Sequence, residues 1–283
     1  MSVSLRSQFV GRVAANVPLC REHYRLSLRV ADFPPTEPGQ FVQLACRDVE
    51  RDYSASSDGE RTWEGDLPFL AEQPELREPM AVLRRPFSLA GRREVGGETE
   101  IDIIHRVVGL GTHWLSRLSI GESVSVLGPL GNRFALPSAG QTALLVGGGV
   151  GIPPMLYLAE RLAGKSAVAF CGALSRDLLP LTVLAASDDH DAAQPAPILG
   201  EFARHGIPSI ISTDDGSLGF RGYITQALER FLDSESIPKA ILYTCGPEPM
   251  LRRVAQISAD RGLACQIAVE RAMACGMGTC QSC

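Results

Sequence analysis

The chain has 283 residues, 45% of them hydrophobic and 21% charged. That supplies core for about two domains and excludes a disordered chain, while a net charge of −5 offers no basic field for nucleic acid. The residue type that stands out is cysteine: eight in all, three of them within the last nine positions.

The opening residues, Met1 to Val10, lack the apolar run of a secretion signal, so a cytoplasmic protein is expected. Val10–Val13, Tyr24–Val30 and Gln40–Ala45 are short, partly alternating runs that predict strands, punctuated by Pro34, Pro35, Pro38 and Gly39. Residues 47–80 hold ten acidic side chains and four arginines with no periodicity, which reads as a solvated loop. Arg85–Ala90, Glu100–Val108 and Ser123–Leu127 are further strand runs, with one helix predicted over Thr112–Leu118. Short strands separated by turns suggest a sandwich or small barrel.

After Pro137 the texture changes. Strand runs at Ala143–Val146, Ala167–Phe170, Ser209–Ser212, Ala240–Thr244 and Ile267–Val269 alternate with helix patterns at Pro154–Leu162, Tyr223–Leu232 and Glu248–Asp260. Such alternation predicts a parallel sheet of nucleotide-binding type. The uncharged stretch 142–159 approaches membrane-span length, but six glycines and prolines between 147 and 154 make it a strand, a loop and a helix start. The expected organisation is residues 1–137, with 47–80 inserted, then 138–270, then a segment 271–283 too short and too rich in Gly and Cys to fold without a staple.

That segment carries Cys275, Cys280 and Cys283 in the spacing C-x4-C-x2-C, which suits a plant-type [2Fe–2S] centre. Gly276 and Gly278 let the backbone approach the inorganic sulfurs. Zinc would favour paired C-x2-C ligands, of which there is one, and disulfides need an oxidising compartment. A fourth ligand is missing at the expected spacing, and a sequence truncated after Cys283 is the expected reason. Cys265, Cys20, Cys46 and Cys171 read as small buried hydrophobes.

Gly147, Gly148, Gly149 and Gly151 follow a strand and precede a helix, where backbone N–H groups can hold a pyrophosphate. The match to a G-x-G-x-x-G pattern is incomplete because Ile152 takes the third glycine's place. Beyond the next strand, Asp177 would favour a free ribose and Arg176 a 2′-phosphate, which leaves NAD and NADP open. In the first half, Arg85 could pair with a phosphate and Ser88 with a flavin ring. Thr112 would serve as a helix N-cap. No catalytic acid–base dyad is found, and the five histidines have no metal-like spacing.

Arg85-Pro-Phe-Ser88, Gly109-Leu-Gly-Thr112, Gly128-Pro-Leu-Gly-Asn132, Gly147-Gly-Gly-Val-Gly151, Thr213-Asp-Asp-Gly-Ser217, Cys245-Gly-Pro-Glu-Pro-Met250 and the cysteine loop occur in one order. From about residue 8 onward this resembles the ferredoxin-reductase superfamily and, within it, the electron-transfer subunits of NAD-dependent dihydroorotate dehydrogenases. The resemblance implies a flavin-binding antiparallel β-barrel, a parallel-sheet nicotinamide domain and a C-terminal [2Fe–2S] loop. It assigns Arg85, Pro86, Phe87, Ser88, Ile104, His105, Arg106, Gly111 and Thr112 to FAD. It assigns Gly147, Gly148, Gly149, Gly151, Cys245 and Gly246 to NAD, and Cys275, Cys280 and Cys283 to the cluster. His105 departs from the aromatic ring usual there, and a neutral, packed imidazole is expected. The implied partner is an FMN-containing catalytic subunit in a heterotetramer, with neither nucleic acid nor membrane involved. Electrons would pass from that FMN through the cluster and FAD to NAD in pyrimidine biosynthesis. Ferredoxin–NAD(P) reductase subunits, hydrogenase- or sulfide-linked diaphorase subunits, and a non-enzymatic flavin module with a lost cluster are the alternatives.

Overall fold

The computed structural model describes residues 7–48, 83–185, 194–235, 237, 239–270, 273, 274, 280 and 281. Most of the acidic segment, and Cys275 and Cys283, lie outside the described residues.

Six antiparallel strands close into a barrel: β1 (Ser7–Cys20), β2 (His23–Val30), β3 (Phe41–Leu44), β4 (Arg85–Val95), β5 (Glu98–Arg106) and β6 (Ser123–Leu130), in the spatial order β1-β2-β5-β4-β3-β6. Alternation decides which side chains turn inward. Leu26, Leu28 and Val30 from β2, Val42 and Leu44 from β3, and Ile101 and Ile103 from β5 fill the interior with almost no exposure. Of the two all-β architectures expected, the closed barrel is the one formed; closure leaves no free edge among these strands. A seven-residue helix, α1 (Leu110–Ser116), leads from β5 to β6.

The second layer is a six-stranded parallel sheet of β7 (Thr142–Gly148), β8 (Ala167–Ala173), β9 (Ser209–Thr213), β10 (Phe220–Arg221), β11 (Ala240–Cys245) and β12 (Ala264–Ala268), ordered β10-β9-β8-β7-β11-β12. The central strands are apolar runs because both of their faces are covered. One face carries α2 (Ile152–Arg161); the other carries α4 (Ile224–Ser234) and α5 (Glu248–Asp260), with the short α3 (Gly200–Ala203) before β9. Pro153 and Pro154 sit in the first turn of α2, where a missing N–H costs nothing. That is why the helix starts two residues before the Pro154 expected from the pattern.

The two layers share a core. Ala90 and Ile104 of the barrel and Phe134 of the connection pack into the cluster formed by Ile152, Met155 and Leu156 of α2. On α2, the Tyr157 hydroxyl donates to the Thr36 carbonyl at 2.7 Å and lies 2.9 Å from the Thr36 hydroxyl. One turn later Arg161 pairs with Glu37 at 3.3 Å. At the far side, Tyr243 donates to the Ala135 carbonyl at 2.8 Å, and the Gln266 amide both accepts from and donates to Ala135. Among the described residues no helix is long and apolar enough to cross a membrane.

Candidate functional site: a two-walled cleft

A cleft of about 1660 Å³ runs along the seam between the barrel and the C-terminal edge of the sheet. Its barrel wall consists of Pro86, Phe87 and Ser88 on β4, Ile104, His105 and Arg106 on β5, and Thr112 on α1. Its sheet wall contains Gly148, Gly149 and Cys245. Ten of the fifteen residues expected to hold cofactors therefore line one cavity. Arg85, Gly111, Gly147, Gly151 and Gly246 do not line it. Arg85 is exposed, and its guanidinium reaches the Leu83 carbonyl at 3.4 Å. Of the expected cluster ligands only Cys280 is described, and it is exposed. Among the described residues no group of three His, Cys, Asp or Glu side chains could hold a metal ion.

Strand register builds the barrel wall. His23 pairs with Arg106 and Tyr24 with His105, which brings a second imidazole, His23, to the cleft. His23 Nδ1 lies 2.9 Å from the Arg21 carbonyl and so carries the hydrogen. Arg106 is held by Glu22 at 2.8 Å, leaving a fixed cation half-exposed to the cleft. His105 is buried, stacked on Tyr24 and edge-on to Phe87. Neither of its ring nitrogens has a hydrogen-bond partner. Burial, with a smaller contribution from His23, pushes its pKa down to about 4. It is thus the neutral, packed imidazole expected from the sequence.

Thr112 is not the cap of α1. Gly109 occupies that position, and the Thr112 hydroxyl, three residues into the helix, accepts from the N–H groups of Val108 and Gly109 at 2.9 and 3.1 Å. The tie closes the glycine turn from within the helix.

On the sheet wall, two glycines have opposite tasks. Gly149 has φ +53 and open space where a Cβ would sit, at a tight turn that faces the cleft. A Cβ on Gly151 would lie 2.1 Å from the Cys245 carbonyl oxygen. Only glycine lets α2 pass this close to the end of β11, which is the packing task of the last glycine in dinucleotide-binding turns. Gly151 performs it one position before the place that Ile152 fills. The Cys245 thiol is pushed up to about 12, first by burial and then by the Glu270 carboxylate.

Asp177 and Arg176 do not reach this site. Asp177 pairs with Arg21 at 3.1 Å, and neither residue lines the cleft. The sheet-side carboxylates that line the cleft are Asp214, Glu229 and Glu270; the Asp214 backbone N–H bonds to the Ala173 carbonyl at 3.1 Å. Its neighbour Asp215 closes a turn by accepting from the Ser217 N–H and hydroxyl at 2.9 and 2.6 Å. Gly131, Asn132 and Tyr223 also line the cleft without having been expected there. Gly131 and Asn132 belong to the Gly128–Asn132 motif, and Tyr223 opens the predicted helix Tyr223–Leu232. Cys20 and Cys265 are half-buried rather than buried, because both lie at strand ends, whereas Cys46 and Cys171 are buried.

A barrel wall facing a glycine turn across one cleft defines a ferredoxin-reductase-like oxidoreductase. Solved structures share this fold: an NADH-dependent reduced ferredoxin–NADP oxidoreductase has a TM-score of 0.69 at 22% identity, over 96% of this chain and 80% of that one. The flavohem-like FAD/NAD-binding domain of a Vibrio cholerae nitric oxide dioxygenase has a TM-score of 0.60 at 17% identity, over 92% and 98%. No protein-family model matches the chain. Curated relatives are closer in sequence. The dihydroorotate dehydrogenase B (NAD+) electron transfer subunit of Geobacillus sp. strain WCH70 is 36% identical over 71% of this chain and 70% of its own length. The subunit of the same name from Caldanaerobacter subterraneus subsp. tengcongensis is 28% identical over 99% and 88%. The chain belongs to the family of dihydroorotate dehydrogenase B (NAD+) electron transfer subunits.

Proposed function

We propose that this chain carries electrons from an FMN-containing, dihydroorotate-oxidising subunit through a [2Fe–2S] centre and FAD to NAD+, in the cytoplasm, as part of a heterotetramer. In this reading residues 1–137 hold FAD, 138–270 hold the nicotinamide nucleotide, and 271–283 hold the cluster through Cys275, Cys280 and Cys283. The observation that carries it is the single cleft lined by strand residues 86–88 and 104–106 on one side and by Gly148, Gly149 and Cys245 on the other.

The cleft fits the groups assigned to it. Its volume exceeds the usual range for a single small ligand, as a dinucleotide with a nicotinamide beside it requires. His105 presents two buried nitrogens that nothing in the protein satisfies. Bound FAD would supply the conversion between hydride exchange with a nicotinamide and single-electron exchange with a cluster.

The chain's own residues then have the following tasks. Arg106, braced by Glu22, offers a guanidinium to phosphate oxygens. The turn tied by Thr112 presents backbone N–H groups beside it. Ser88 and the neighbouring Pro86 orient the ring face. The N-terminus of α2 and the turn at Gly149 receive the nicotinamide's pyrophosphate. Cys245 remains a neutral thiol at the C-terminal end of β11.

The test is the anaerobically purified chain, assayed for flavin and iron and then mixed with the catalytic subunit, dihydroorotate and NAD+. Expected are flavin and iron in the ratio that one FAD and one [2Fe–2S] centre require, and steady NADH formation. Absence of NADH with an active catalytic subunit present would refute the assignment.

A further inference from the structure

His23 lines the cleft from the first position of β2, and no motif marks it. The turn that leads to it is pinned on two sides. The Arg21 N–H donates to the Asp177 carbonyl at 3.0 Å, while the Arg21 guanidinium pairs with the Asp177 carboxylate at 3.1 Å. Glu22, at φ +65, accepts from the Val107 N–H at 2.7 Å through its carbonyl and braces Arg106 at 2.8 Å through its carboxylate. A non-glycine residue is uncommon in that conformation. The imidazole therefore stands at a fixed place, directly opposite Arg106 in the strand pairing.

Its two ring nitrogens are not equivalent. The Arg21 carbonyl can only accept, so Nδ1, 2.9 Å away, carries the hydrogen and Nε2 is left with a lone pair. Nε2 has no partner in the chain, yet unlike both nitrogens of His105 it is not sealed in the interior. His23 is only 2% exposed, and that exposure includes Nε2 on the side of the cleft. The ring has Arg106 and His105 of β5, Glu22 and Arg21 of the turn, and Asp177 beyond Arg21 around it. Burial, aided by the Arg106 guanidinium, holds its pKa below the usual value against the Arg21 carbonyl and the Glu22 carboxylate, so the ring is neutral near pH 7. A fixed neutral acceptor beside a fixed cation selects a ligand that sets a donor hydrogen next to an anion. A phosphate oxygen suits Arg106 but has no hydrogen for Nε2; a sugar hydroxyl beside the phosphate has one.

We propose that His23 is a further flavin-binding residue, whose Nε2 accepts a hydrogen bond from a sugar hydroxyl of FAD next to the phosphate that Arg106 holds. This rests on the flavin reading of the cleft. FAD carries such hydroxyls on both sides of its pyrophosphate, on the ribityl chain and on the adenosine ribose. Either presents the same chemistry to Nε2. The ring fixes where the cofactor's sugar chain lies along the barrel wall; no electron or proton passes through it.

The experiment measures dissociation constants of the full-length, flavin-stripped chain for FAD and for two FAD analogues, one without the ribityl hydroxyls and one without the ribose hydroxyls, with His23→Phe alongside. The pH is one at which imidazole is neutral. His23→Phe keeps a flat ring and removes the acceptor, and it is expected to bind FAD about tenfold more weakly, the worth of one well-made hydrogen bond. One of the analogues is expected to lose about tenfold more affinity in the unaltered chain than in the variant, and which one it is identifies the sugar. Equal penalties in both chains for both analogues overturn the proposal. Should the phenylalanine variant fail to fold, His23→Leu replaces it. Nitrogen NMR of the isotope-labelled chain gives a readout apart from affinity. The His23 Nε2 signal, identified by its absence from the variant, is expected to shift when FAD binds and to remain that of an unprotonated acceptor. A signal that does not move overturns the proposal, and so does a protonated Nε2, which would mark an imidazolium on phosphate. Those failures leave FAD bound; an unaltered chain that binds no FAD overturns the flavin reading as well.

Discussion

The two walls of the cleft differ in what they present. The barrel wall offers side chains: the Arg106 guanidinium, the Ser88 and Thr112 hydroxyls and the His105 ring. On the sheet wall the glycine turn offers backbone at Gly148 and Gly149, held by the close pass of Gly151 under Cys245, beside side chains such as Asp214 and Tyr223. A barrel with a filled interior can change an outward side chain and keep its fold, so recognition there is adjustable residue by residue. A glycine turn that recognises through its main chain ties recognition to packing, and a change there costs both together.

Gly151→Ala is the strongest attempt to break this contrast. The added Cβ meets backbone rather than a flexible side chain, so about 3 kcal/mol of stability should be lost, together with NADH-dependent flavin reduction. Gly149→Ala meets no neighbour and pays only for its left-handed conformation, about 1–2 kcal/mol. Denaturant unfolding of both variants checks the ranking; equal losses would erase the distinction between a packing glycine and a turn glycine.

On the barrel wall the largest effect is expected with acid. The His105 pKa of about 4 in the folded chain lies below its ordinary value of 6.5. Between those values the unfolded chain takes up a proton that the folded chain refuses. The stability is therefore whole above pH 6.5, falls as pH drops, and is fully lost below about 4, by up to roughly 3 kcal/mol. His23 shifts in the same direction, so the measurement is the difference between the unaltered chain and His105→Phe. The phenylalanine variant should have the flatter curve across that window, and parallel curves would show that His105 does not titrate on unfolding.

The smallest effect sharpens the comparison. Arg106→Gln removes a charge-assisted contact without touching the core, and it should weaken FAD binding about tenfold while leaving the melting temperature within a degree or two of the original. A large loss of stability would make Arg106 a packing residue of the barrel instead.

Much of the fold was legible because it rests on period. The two-residue alternation of Leu26, Leu28 and Val30 and the apolar run at 143–146 report one-sided and two-sided burial directly. The helix over Glu248–Asp260 has the ends its pattern predicts. Elements of four residues or fewer, Gly200–Ala203 and Phe220–Arg221, are too short for any period to register. The site was legible where a motif is local. It was obscure where strand register does the work: His23 reaches the cleft through its pairing with Arg106. Asp177, left open as a ribose ligand because it follows the second strand of the sheet, pairs instead with Arg21 from the other layer.

Helix α2 begins at the glycine turn of the sheet wall and is bonded to the barrel side through Tyr157 and Arg161. Ten residues of helix make a rod about 15 Å long. Hydride passes only when donor and acceptor approach within about 3–3.5 Å, a tolerance much smaller than the rod that spans the seam. The width of the gap is thereby a property of the folded chain, laid down with the core that α2 shares with the barrel. In this design a nicotinamide slots into a fixed gauge, and its arrival need not swing the two layers together.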